Sequence, residues 1–148
     1  MSFTSSMRIS GSSLTAQRLR MDVISGNIAN VSTTRDVDGS PYRRREVVLS
    51  ASYSPQGSDQ SGILKVGSRS ASPMGVRVAG IASQDQIRLV NDPNHPDADA
   101  EGNVAYPDID MVQEMADMMT AIRAYEASVT ALNAAKSMAQ KALDLGRA

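Results

Sequence analysis

The chain has 148 residues, enough for about one domain, with 15 Lys+Arg against 16 Asp+Glu and a net charge of -1. That balance argues against nucleic acid as the main partner, and the absence of Cys excludes disulfides, thiolate metal sites and thiol nucleophiles. With five aromatic residues and no Trp, the chain is poorly equipped to build a large core alone. No run of 18 apolar residues suggests membrane insertion, and the N-terminus lacks the pattern of a cleaved secretory signal.

Breakers divide the chain into three. All six Pro lie between Pro41 and Pro107, so both ends are free to be helical. The expected fold is mainly α with a small β insert: residues 1–34 and 108–148 as long terminal helices packed as a coiled-coil-like pair, and 35–107 as a β/loop region between them.

The first helix is expected over Phe3–Val31. Met7, Leu14, Met21 and Ile28 recur every seven residues, with Ser10, Gln17, Ile24 and Val31 at the paired stripe positions. Gly11 and Gly26 weaken it by about 0.8–1 kcal/mol each relative to Ala. In the insert, Glu46–Leu49, Gly75–Ala79 and Ile87–Val90 have strand character. Residues 50–72 hold eight Ser, three Gly and one Pro, the composition of a mobile excursion, and residues 91–107 read as loop because three prolines exclude a long helix.

The last helix is expected over Met111–Leu145. Its stripe runs Met111, Met115, Met118, Ile122, Tyr125, Val129, Leu132, Lys136, Ala139, Leu143, apolar at nine of ten positions. Asp110 and Gln113 supply capping chemistry at its start, and Gly146 stands where a C′ glycine would close it. The methionines at 111, 115, 118 and 119 read either as helix core or as an adaptable contact surface, and the two readings merge if the core forms between subunits. A stripe this long needs a partner surface, and the shorter first helix covers only part of it.

Three constellations could carry chemistry. Asp97, Asp99 and Glu101 with Gly102 resemble the start of an EF-hand calcium loop, but the proline-rich stretch before them cannot be its entering helix. An acidic, proline-bounded corner is the favoured reading, with a small calcium- or ligand-binding helical module as the competing class. His95 is a lone candidate base with no catalytic motif around it, so no catalytic residue, metal ligand or cofactor site is assigned. Arg43-Arg44-Arg45 would point to alternate faces if extended, which suits a protein contact better than a phosphate patch.

Short motifs then add a resemblance. Asn27-Ile28-Ala29-Asn30-Val31-Ser32-Thr33 resembles the A-N-x-x-T signature of the flagellar axial family of rod and hook proteins. Pro41-Tyr42, the run Asp92-Pro93-Asn94-His95-Pro96-Asp97, and Arg123-Ala124-Tyr125-Glu126-Ala127 are similar to the same family, and the short length favours its proximal-rod members. The resemblance implies a non-enzymatic subunit of the basal-body rod that transmits motor torque towards the distal rod and hook. It implies terminal helices in the inner layer of a helical assembly. Its implied partners are copies of itself, other proximal and distal rod proteins, a hook-basal-body junction protein, the membrane-ring protein and the flagellar export apparatus. It implies export without a cleaved signal into a structure crossing the periplasm. Another short axial protein of the same rod is the nearest alternative.

Overall fold

The computed structural model describes residues 3–53 and 73–146. In chain order the elements are α1 (Phe3–Ala29), β1 (Arg45–Tyr53), β2 (Pro73–Ser83), β3 (Ile87–Asn91), β4 (Asn103–Pro107) and α2 (Met111–Leu145). Two long terminal helices thus enclose a small β region. Most of the Ser/Gly-rich stretch at 50–72 lies outside the described residues, but residues 50–53 are not excursion: they complete β1.

The helices form where the breakers are absent. Asp110 caps α2 by accepting from the backbone N–H groups of Val112 and Gln113, two of the donors a helix start leaves open. The reciprocal half of the expected capping box is not made, because the Gln113 amide turns down the helix to Asp117. Gly146 ends α2 in a right-handed conformation (φ -83°), not the left-handed one of a C′ glycine. Helix α1 stops two residues before Val31, which sits in the turn that follows.

The helices run antiparallel: Ser13 meets Ser128 and Asn27 meets Glu114. On α2 the buried and half-buried positions include Glu114, Met118, Ala121, Tyr125, Ser128, Leu132, Ala135 and Ala139, alternating in steps of four and three. Half of the expected stripe is therefore inward, namely Met118, Tyr125, Leu132 and Ala139, joined by a half-buried Val129. The other half is displaced. Met111, Met115, Ile122, Lys136 and Leu143 are exposed in the chain, and Glu114, Ala121, Ser128 and Ala135 take the inner places. One residue is about 100° of helix, so apolarity alone selects the wrong neighbour. Ala and Ser win because they let the helix backbones approach closely, and Glu114 wins because its charge is paired there. On α1, Ile24 is buried and Met7, Leu14, Met21 and Ile28 are half-buried, as is Val31 in the turn after it.

The insert forms two separate two-stranded antiparallel sheets, β1–β2 and β3–β4. In the first, Arg45 pairs with Ser83 and Ala51 with Val76, with irregularities between Val48 and Leu49 and between Ser52 and Tyr53. In the second, Ile87 pairs with Pro107 and Asn91 with Asn103. Strand β4 was not expected. Its apolar content is only Val104-Ala105-Tyr106, and Pro107 is tolerated because it ends the strand.

Besides the contact of Asn27 with β1, sheet β1–β2 makes a close approach to the middle of α1. The Ser12 hydroxyl donates to the carbonyl of Ile9 and accepts from the backbone N–H of Val76. Gly75 has φ 131°, and a Cβ there would lie 2.2 Å from the Ser12 hydroxyl oxygen. Gly75→Ala is therefore expected to lower stability by about 1–3 kcal/mol in urea unfolding, whereas Gly80→Ala, with open space around it, should be nearly neutral.

The buried apolar residues among those described include Ala16, Ile24, Tyr42, Val104, Ile109, Ala121 and Ala135. Three of the seven are alanines, so the helix pair gains little from area burial and depends more on specific contacts.

Candidate functional site

The most deeply buried large side chains among the described residues include a charged one. Glu114 and Asn27 are each 1% exposed, and they touch where α1 ends and α2 begins. The Asn27 amide donates to Glu114 Oε2 at 3.0 Å and to the carbonyl of Arg45 at 2.8 Å. Its oxygen accepts from the Tyr42 hydroxyl at 3.1 Å and from the backbone N–H of Arg45 at 3.0 Å. Two donors and two acceptor positions are all an amide has, so Asn27 is saturated. Glu114 Oε1 accepts from Arg44 Nε at 2.8 Å and pairs with its terminal nitrogen at 2.7 Å. One clasp thus joins both helices to the strand that leaves them.

The arginine triplet divides as an extended strand requires. Arg44 turns in to Glu114, Arg43 turns out to Asp85, and the Arg45 guanidinium lies 5.4 Å from the centre of the Tyr42 ring. Burial pushes the Tyr42 hydroxyl above its ordinary 10.0; the Arg45 cation opposes this, and the Asp36 and Glu114 carboxylates add to it.

The remaining motif residues hold the same junction. The Asn30 side-chain amide donates to the Gly26 carbonyl, which also accepts from the Asn30 backbone N–H, and the Thr33 hydroxyl donates to Asn30 Oδ1. The Thr33 carbonyl accepts from the backbone N–H of Tyr42, which brings the Pro41-Tyr42 segment back against the helix. Ala29 is exposed and makes no comparable tie.

The acidic corner is held by its own backbone. Asp92 Oδ1 accepts from Asn94 N–H, Asp99 Oδ1 accepts from the N–H groups of Glu101 and Asn103, and His95 Nδ1 accepts from Asp97 N–H. Pro93 packs against Gly102, whose φ of 81° makes the turn, and Pro96 is exposed. The Asp97 carboxylate leaves the corner, accepting from the Thr34 hydroxyl at 2.9 Å and pairing with Arg35 at 2.8 Å. Asp97 is thus a peg that fixes the corner to the segment after α1, not a member of a converging ligand set. His95 contacts Tyr106 edge-on, with ring centres 6.1 Å apart.

The exposed methionines and Ile122 form a second feature. Met111 (40% exposed), Met115 (47%), Met119 (57%) and Ile122 (40%) follow one another at steps of four, four and three along one flank of α2, about 100° round from the positions that face α1. Sequence reasoning placed Met111, Met115 and Ile122 on the packing stripe and read the methionines either as helix core or as an adaptable contact surface. It singled out Arg44 only within the basic triplet, without its partner, and did not single out Glu114. The signal available for Glu114 was an acid flanked by apolar residues three before and four after it, Met111 and Met118, and it reads equally as a solvated face.

This is the architecture of a subunit whose ends are fastened to its insert and whose longest helix keeps a free apolar side. Two family models match those ends: a flagella basal body rod protein model over residues 7–35, and a flagellar basal body rod FlgEFG protein C-terminal model over residues 100–145. The chain is also similar along its length to flagellar basal-body rod protein FlgC of Bacillus subtilis strain 168, at 47% identity over 96% of this chain and 97% of that protein. It is 42% identical to the FlgC of Borreliella burgdorferi over 97% of both chains, and 41% identical to that of Escherichia coli O6:H1 over 94% of both. The chain belongs to the FlgC family of flagellar basal-body rod proteins, and its role is structural, as a subunit of that rod.

Two outcomes are expected of the clasp. Glu114→Ala removes the closest partner of Arg44, leaving it Glu46 at 3.7 Å among the described residues, and strands an Asn27 donor; it should cost about 3–5 kcal/mol in chemical denaturation, with Glu114→Gln milder. Because the Tyr42 hydroxyl is raised in the folded state, its contribution is fully present below pH 10 and is lost as pH rises through the folded value. Stability measured from pH 8 upward should therefore fall less steeply above about pH 10 in Tyr42→Phe than in the parent chain, after an offset of about 1 kcal/mol for the lost hydrogen bond.

Proposed function

We propose that the chain builds the proximal segment of the rod, with residues 1–34 and 108–148 forming a coiled-coil-like inner layer and 35–107 lying outside it. The observation that carries this reading is the second apolar side of α2. Among the described residues nothing covers it fully, while the relatives of the chain are rod proteins. Burying each such side chain against a neighbour contributes about 1.5–3 kcal/mol relative to leaving it exposed. Repeated over every subunit, those contacts resist shear and carry torque towards the distal rod and hook.

On this reading the protein is no enzyme and needs no cofactor. Its neighbours are copies of itself, other proximal and distal rod proteins, the hook-basal-body junction protein and the membrane-ring protein. It reaches the periplasm-crossing rod through the flagellar export apparatus without a cleaved signal. The acidic corner serves as a structural peg. Asp97 is occupied by Arg35 and Thr34, and Asp99 by its own turn, which leaves the calcium-module reading without support from these contacts.

The test separates folding from assembly. Ile122 is partly exposed in the chain, so Ile122→Asp should change the unfolding free energy of the isolated subunit by less than about 1 kcal/mol. In cells lacking the native protein it should abolish swimming and recovery of complete basal bodies, as should Met115→Asp. Arg123→Gln, next to it on the helix, should assemble. Normal rods with both acidic variants would overturn the proposal.

A further inference from the structure

The apolar stripes of the two helices do not define a unique alignment. Met7, Leu14, Met21 and Ile28 repeat every seven residues, and so do Met118, Tyr125, Leu132 and Ala139. Sliding one helix past the other by seven residues, about 10.5 Å, would again set apolar against apolar. The small inner residues Ala121, Ser128 and Ala135 repeat at the same interval and give little steric resistance.

The polar contacts behave differently. Ser13, Arg20 and Asn27 stand at seven-residue intervals on α1, one polar residue per repeat. Ser13 meets Ser128 at 3.0 Å, Arg20 pairs with Asp117 at 3.6 Å, and Asn27 donates to Glu114 at 3.0 Å. Three different chemistries occur in a fixed order, so no shifted alignment reproduces them. A shift one way sets Asn27 against Ala121 and strips Glu114 of both Asn27 and Arg44. A shift the other way carries Asn27 beyond the start of α2. In either case a carboxylate that is 1% exposed loses the Asn27–Arg44 pairing that now holds it.

We propose that this polar ladder, and not the apolar stripe, sets the register of α1 against α2. Its anchor is the Asn27–Glu114–Arg44 clasp. Asn27 is bonded to both the N–H and the C=O of Arg45, so the register of the helices and the position of β1 are fixed together. A buried polar residue that selects one alignment at some expense of stability is a known device of paired helices. Here it would determine how far the ends of α1 and α2 are offset, and with them the Met115–Ile122 side.

The absence of native Cys makes the register directly readable by cross-linking. Three full-length double variants are made: Ser13→Cys with Ser128→Cys for the observed register, and Ser13→Cys with Ala121→Cys or with Ala135→Cys for the two shifted ones. A heptad of displacement exceeds the reach of a disulfide, about 7 Å between Cα atoms. In the parent background only the first pair should oxidise rapidly. In a background carrying Arg44→Met, Glu114→Leu, Arg20→Leu and Asp117→Leu, the shifted pairs should rise by about tenfold while helicity by circular dichroism is kept. Glu114→Gln, which keeps an acceptor for Asn27, should retain the single register. Persistence of the first pair alone in the ladderless background overturns the proposal. Loss of helicity with no cross-link at any pair overturns it too, since the ladder would then be needed for pairing itself and not for its alignment. The purified chain suffices, so the outcome is independent of whether the protein assembles.

Discussion

One buried contact organises this chain. Asn27 and Glu114 come from opposite ends of the sequence, and Arg44 and Tyr42 come from the segment between them. An unpaired carboxylate at the depth of Glu114 would destabilise the fold by several kcal/mol. The structure avoids that only if α1, α2 and the start of β1 are all in place. The apolar core alone could not impose this: Ala16, Ala121 and Ala135 are among its few buried residues in the described chain, and Tyr42 is itself part of the clasp. Specific polar satisfaction at the junction therefore supplies much of the definition that a larger protein takes from packing.

The rest of the architecture follows from that junction. The turn after α1 is closed by Asn30, Thr33 and the backbone of Tyr42, which delivers Arg44 to Glu114. The second sheet and its acidic corner are fastened to the same turn by Asp97 through Thr34 and Arg35. Ser12 and Gly75 hold the first sheet against the middle of α1. By turning Glu114, Ala121, Ser128 and Ala135 inward, the clasp turns Met111, Met115, Met119 and Ile122 outward. An isolated chain gains nothing from that choice. On the proposed reading, a rod subunit gains from it a contact surface of adaptable side chains.

The helices and their limits were legible because proline is confined to the middle of the chain and the terminal stripes repeat over several turns. Asp110 was recognisable as a cap for the same local reasons. Which side of α2 faces α1 was not legible. Counting apolar residues favours Met115 and Ile122 over Glu114 and Ala121, and the deciding facts are long-range: a cation delivered from residue 44 and the room an alanine leaves for another helix. Strand β4 was hidden because its partner β3, not its own composition, makes it a strand. The motif residues Asn27, Asn30, Thr33, Tyr42 and Asp97 were visible as a resemblance, but their physical task was not, since each acts on a partner distant in the fold or on backbone. Arg44 and Glu114 carry the strongest interaction and left the weakest trace, one inside a basic run and the other on an otherwise ordinary amphipathic helix.

The central claim is that one side of α2 serves the subunit and the other serves the assembly. Methionine oxidation reports on both sides at once, because peroxide converts accessible thioethers to sulfoxides that mass spectrometry counts residue by residue. In the free subunit Met111, Met115 and Met119 should oxidise readily and half-buried Met118 slowly. In isolated basal bodies all four should be slow. Unchanged oxidation of Met115 and Met119 on assembly would contradict the account, because this apolar flank of α2 would then remain open to solvent within the rod.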